Sequence, residues 1–134
     1  MARKIFVNLP VKDLNKSVEF FTKLGFTFNP QFTSESATSM IVSEDIYVML
    51  LVEPYFKSFT KKEICDTTNS TEAIICLSAE SREEVDKFVS DAIAAGGSAP
   101  NPKQDHGFMY GHGFQDLDGH LWELAYMDMS TMPG

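Results

Sequence analysis

Residues 72–93 read EAIICLSAESREEVDKFVSDAI. Glu72 to Ala79 is rich in β-formers and is a predicted strand. Ser81-Arg82-Glu83-Glu84 is a capping box, in which the serine side chain serves the backbone three residues on, where a glutamate stands. Val85, Phe88, Val89, Ala92 and Ile93 then recur at helical spacing as one apolar face, and Gly96-Gly97 ends the helix.

The same order stands at the start of the chain. Lys4 to Val11 reads as a strand, Asp13 as a helix N-cap, and Gly25 as the C-cap. Between the caps, Leu14, Val18, Phe21 and Leu24 form an apolar face, which pairs Val18 and Phe21 with Val85 and Phe88. Each strand–helix unit is followed by β segments. In the first half these are Phe26 to Phe32, Ser39 to Val42 and Ile46 to Val52, with a turn at Ser43-Glu44-Asp45. In the second half they are a Pro-broken edge strand, Ser98 to Lys103, and a hairpin of Phe108 to Gln115 with His120 to Met127. Asp118-Gly119 is a strong turn signal for that hairpin.

The organisation predicted is a single domain spanning 1–134: repeat one about 4–52, a linker over 53–70, and repeat two about 71–127. The linker is read as a loop with one helical turn at Tyr55 to Phe59 that buries Phe56 and Phe59, and the tail from Asp128 as loosely ordered. The fold class is α+β: two tandem βαβββ modules forming a curved mixed sheet. Neither repeat can bury its sheet face alone, so a ligand cavity between repeats is expected.

Composition narrows the function classes. With 43% hydrophobic and 12% aromatic residues, the 134-residue chain is not of the disordered type. Its longest apolar stretch, Ile46 to Val52, is far short of the roughly 20 residues that span a bilayer. Arg3 and Lys4 are not followed by an apolar signal core, so a cytoplasmic protein is expected. Eleven Lys and Arg against nineteen Asp and Glu give a net charge of −8, which argues against nucleic-acid and anionic-membrane partners. Cys65 and Cys76 do not have the C-x2-C spacing of zinc sites and read as reduced, inert thiols.

Particular residues carry a family resemblance. Val7-Asn8-Leu9-Pro10-Val11-Lys12-Asp13-Leu14, then Ser17, Phe20-Phe21 and Gly25-Phe26, are similar to the opening strand and helix of the vicinal oxygen chelate superfamily. Tyr110-Gly111, Phe114, Asp116, Asp118-Gly119-His120 and Trp122-Glu123-Leu124 resemble its closing hairpin. That superfamily contains glyoxalase I, bleomycin- and fosfomycin-resistance proteins and extradiol dioxygenases, and the overall look is closest to predicted lactoylglutathione lyases. The resemblance spans about residues 4 to 127.

It implies a divalent metal (Zn, Ni, Mn or Fe) held by one residue from the first and one from the last strand of each repeat. Carried onto this chain, those positions fall on Phe6, on Val48 or Met49, on Ala73 or Ile74, and on Glu123. Only Glu123 is a metal-binding side chain there. A first-strand ligand at Asn8 instead reads as out of parity with that face. Glu123 is the candidate catalytic residue: a metal ligand if a metal binds, or a general base taking a proton alpha to a carbonyl. A retained family carboxylate holding a water is its bland reading. Phe6, Asn8, Met49, Ile74, Tyr110 and His112 are the expected pocket-lining residues.

His106, His112 and His120 fall on a loop, a strand and a turn, a poor arrangement for a metal trio. Trp122 neighbours Glu123, so it faces the opposite side and packs against a helix. Asp116 and Asp118 read as turn-formers without chemistry.

Two functions follow. One is a glyoxalase-type lyase or isomerase. The other is a metal-free protein that sequesters a small molecule, as resistance proteins do. A homodimer is expected in either case.

Overall fold

The computed structural model describes residues 3–128 and Ser130. It divides into two compact units, residues 1–65 and 66–134, with the boundary inside the linker.

In the first unit, β1 (Ile5–Val11) leads through the N-cap Asp13 into α1 (Leu14–Lys23). The Asp13 side chain accepts from the Lys16 N–H, leaving the helix start satisfied. Leu24 caps the other end and Gly25 follows at φ 103°, a left-handed turn that glycine adopts without cost. β2 (Thr27–Asn29), β3 (Ala37–Ile41) and β4 (Ile46–Val52) complete a mixed sheet in the order β1-β4-β3-β2. β1 runs parallel to β4, and the other neighbours are antiparallel. Phe20, Phe21 and Leu24 are buried with Val11, Met40, Val48 and Leu50. Truncating Phe20 or Phe21 to Ala removes about 3–5 kcal/mol.

The second unit repeats the plan. β5 (Ile74–Ser78) leads to α3 (Arg82–Ala94), whose N-cap Ser81 accepts from the Glu84 N–H, as the capping box predicts. β6 (Gln104–Asp105), β7 (Met109–Gln115) and β8 (Leu121–Met127) give the order β5-β8-β7-β6. β5 pairs with β8 in parallel, and β7 with β8 antiparallel. α3 packs on β7 and β8, burying Val85, Val89, Ala92, Phe114, Trp122 and Leu124. Two tandem α+β modules with mixed sheets are thus the architecture.

Several local expectations are corrected. Phe26 to Phe32 is not one strand: Asn29 caps a 3-10 turn over Pro30–Phe32, because its side chain accepts from Gln31 N and Pro30 pre-sets the first turn. Ser98 to Lys103 is not the edge strand. Pro100 and Pro102 offer no N–H, so only Ser98 bridges Gln115, and pairing resumes at Gln104–Asp105. The linker helix α2 covers Glu53–Lys57, and Phe59 beyond it is 67% exposed rather than buried. Ile93 is half exposed, at the rim of the α3 face. Aligning the caps Asp13 and Ser81 pairs Ser17 with Val85 and Phe21 with Val89, one position from the sequence pairing. Of the tail read as loosely ordered, residues 129 and 131–134 lie outside the described residues, while Asp128 donates its N–H to Phe108 O at 2.7 Å.

Candidate functional site

Strand parity decides which side chains meet on the second sheet. In the β5–β8 register Ile74 lies opposite Leu121 and Cys76 opposite Glu123, and in β7–β8 Gly113 lies opposite Glu123. Directly paired residues share a face. Ile74, Cys76, Leu121, Glu123, Gly111 and Gly113 therefore form one face, while Trp122, Leu124 and Phe114 turn to α3.

A cavity of about 280 Å³ opens on this face. Its walls include Ile74, Met109, Leu121 and Ala125, and the loop Pro100-Asn101-Pro102 with Gln104 rims it. Glu123 lies in its lining, with Cys76 beside it. Burial pushes the Cys76 thiol above its ordinary value, and the neighbouring Glu123 charge pushes it further. The thiol thus stays protonated at neutral pH. Gly113 cannot be replaced simply: a Cβ there would stand 2.5 Å from Trp122 O and 3.1 Å from Glu123 Cγ. β8 can approach β7 this closely beside Glu123 because β7 has no side chain at that position.

The rim loop is tied down from β7. His112 Nε2 lies 2.9 Å from Asn101 O. On the α3 side, Tyr110 donates to Asp86 at 2.5 Å and Arg82 lies over its ring. Arg82 also holds Asp105 at 2.8 Å, which keeps that carboxyl below the usual range.

Of the residues read from sequence, Ile74, His112 and Glu123 line this one cavity. Tyr110 does not: it shares the parity of Phe114 and is buried toward α3, 6% exposed. Phe6, Asn8 and Met49 belong to the first sheet. Phe6 pairs with Tyr47 and Asn8 with Met49, so these four share a face, with the Phe6 and Tyr47 rings stacked at 5.2 Å. Asn8 is thus in parity with Phe6, two residues away, and the expectation that it was out of parity is corrected. Cys76 and Gly113 were missed as cavity residues. Counting two residues from Ile74 and two from Gly111 would have found them. Among the described residues no group of three or more His, Cys, Asp or Glu could hold a metal ion, and no helix is long and apolar enough to cross a membrane.

Comparisons with known proteins agree with this architecture. Residues 3–43 match the family model described as Bleomycin resistance protein-like N-terminal. A hypothetical protein from S. aureus has 28% identity and a TM-score of 0.79, covering 94% of each chain. A glyoxalase/bleomycin resistance protein/dioxygenase family enzyme from Burkholderia phytofirmans has 16% identity and a TM-score of 0.77, over 94% of this chain and 99% of that one. The fosfomycin resistance protein FosX from Listeria monocytogenes, complexed with Mn(II) and sulfate, has 19% identity and a TM-score of 0.69, over 97% and 94%. No curated protein matches the sequence. The chain thus has the fold of the glyoxalase/bleomycin resistance/dioxygenase proteins, and residues 3–43 of its first repeat carry the sequence match to the bleomycin resistance protein-like model.

Proposed function

We propose that this protein binds a small, partly apolar molecule without a metal, in the manner of resistance-type sequestering proteins. The observation that carries the reading is the second-sheet cavity, whose walls are mainly apolar around a single carboxylate. At about 280 Å³ it is near the small end of ligand pockets.

The donor set supports the metal-free half of the reading. Of the four positions that the family resemblance assigns to ligands, three carry Phe6, Met49 and Ile74. Beside Glu123 on its own face stands the Cys76 thiol, while His112 has the opposite strand parity and is tied to Asn101 O. A carboxylate and a thiol fall short of the four donors a structural zinc takes, or the three plus water of a catalytic one. These residues do not fit the divalent cation that the family implies.

The second reading is a lactoylglutathione lyase-like enzyme acting on a small oxo compound or thiol adduct. Its support is Glu123, an accessible carboxylate chemically able to take a proton alpha to a carbonyl. Dialysis of the purified chain against Zn, Ni, Co, Mn and Fe(II), then elemental analysis, separates the two. The expected result is metal at background. Close to one metal per chain, lost in Glu123→Ala, would overturn the binding reading in favour of the lyase.

We further take the two repeats as one domain, the chain as a homodimer, and the compartment as the cytoplasm. Support for the last is the pair of free cysteines, Cys65 and Cys76.

A further inference from the structure

We propose that the ligand of the Glu123 cavity is a small organic cation: an amine, quaternary ammonium or guanidinium head on an apolar body of about ten heavy atoms. The inference rests on the binding reading above and names its substrate class.

Charge is the first argument. Among the described residues lining the cavity, Glu123 is the one Asp, Glu, Lys or Arg. Its carboxylate has no hydrogen bond and no ion pair among the described residues. The Lys and Arg residues of this unit are committed elsewhere, Arg82 to Asp105 at 2.8 Å, Lys87 to Asp91 at 2.7 Å and Lys103 to Asp86 at 3.7 Å. Cys76 cannot offset the charge, since its thiol is held neutral. The chain's net charge of −8 adds a field of the same sign. An anionic ligand would meet repulsion with no partner, and a neutral one would leave the carboxylate without a counter-charge.

Shape is the second. Glu123 is exposed on the cavity face and makes no hydrogen bond among the described residues, so its carboxylate is open to a head group. Ile74, Met109 and Leu121 offer apolar wall to the ligand body, while the Asn101 and Gln104 amides offer neutral hydrogen-bonding groups at the rim. A volume of about 280 Å³ equals roughly nine waters at about 30 Å³ each, which sets the ligand size.

The test uses three probes of one skeleton with the full chain: 2-phenylethylamine, 2-phenylethanol and phenylacetate. Each is titrated at neutral pH into wild type and Glu123→Gln, by calorimetry and by amide NMR shifts. Glu123 is exposed and makes no internal hydrogen bond, so the Gln variant keeps the fold, which its amide spectrum verifies. In wild type the amine binds about tenfold tighter than the alcohol, and phenylacetate binds weakest. In Glu123→Gln the amine and the alcohol become equal. Added salt weakens only the amine. The charge inference falls if the alcohol or phenylacetate binds wild type as tightly as the amine while shifting Ile74, Met109 and Leu121, and the cavity reading then survives. It also falls if the amine's preference persists in Glu123→Gln. If no probe shifts those three residues, the cavity reading fails and takes the inference with it.

Discussion

Asp116 is 5% exposed and joins three donors of its own hairpin. Its Oδ1 accepts from the Asp118 and His120 N–H groups at 2.9 and 3.0 Å, and its Oδ2 from Trp122 Nε1 at 3.0 Å. Burial pushes its pKa above the ordinary value of 3.8, and His120 and the three donors pull back without cancelling that push. A carboxyl with a higher pKa folded than unfolded holds its proton more tightly in the native state. Its contribution is therefore fully present below the unfolded value and is lost as pH rises through the folded one. Asp116→Ala leaves three donors without an acceptor and is expected to destabilise by about 3 kcal/mol or more. In Asp116→Asn, urea melts should show a deficit against wild type that widens as pH falls through the window just above 3.8. A deficit that stays constant or shrinks there would contradict the direction of the shift. The sequence identified Asp116 as a turn-former only. Its hold on Trp122 exists only once the hairpin brings residues six apart together.

Elements were the most legible scale, because caps and periodicity are local. Asp13 and Ser81 cap as their spacing implies, and the two apolar faces bury Leu14, Phe21, Val85, Val89 and Ala92, with Val18 and Phe88 half-buried and Ile93 exposed. Failures arose where backbone hydrogen bonding overrode pattern: Pro30 turned a strand into a 3-10 turn, and Pro100 and Pro102 displaced an edge strand. The candidate site was legible to the same degree. Glu123 was marked by its motif, but Cys76 and Gly113 became neighbours only through the pairing of β8 with β5 and β7. That pairing supports a prediction about β7. A Cβ at Gly113 would stand 2.5 Å from Trp122 O, whereas at Gly111 the nearest atom, Leu124 O, is 3.4 Å away. Both obstacles are backbone oxygens of the partner strand, so only the first forces the strands to move. Gly113→Ala is expected to lower stability by about 2 kcal/mol through this overpacking. Gly111→Ala should stay within about 0.5 kcal/mol of wild type. Thermal melts of the two variants side by side check this, and equal losses would mean that glycine content, rather than the close approach, sets the cost.

At the scale of the whole molecule, the apolar residues left uncovered are informative. Phe6 is 54% exposed at the edge strand of one sheet, and Ile74 is 52% exposed at the edge strand of the other. Each stands on the sheet face away from its unit's helix, and Phe6 is already stacked on Tyr47. Ile74 is a wall of the ligand cavity, whereas Phe6 with Tyr47 forms an open apolar patch on the first sheet, and such patches mark contact surfaces. A homodimer is expected on this ground, with a solution mass twice the 15.0 kDa of one chain. Phe6→Glu tests whether the face takes part. If the face stays open in solution, a charge there is nearly neutral for stability, within about 0.5 kcal/mol, and leaves the mass unchanged. If a second copy covers it, burying an unpaired carboxylate is strongly unfavourable and the mass falls to that of one chain. Light scattering on wild type and Phe6→Glu at two protein concentrations reads this directly. A wild-type mass of one chain at both concentrations would rule out the dimer. A dimer in both proteins would move the interface to another surface.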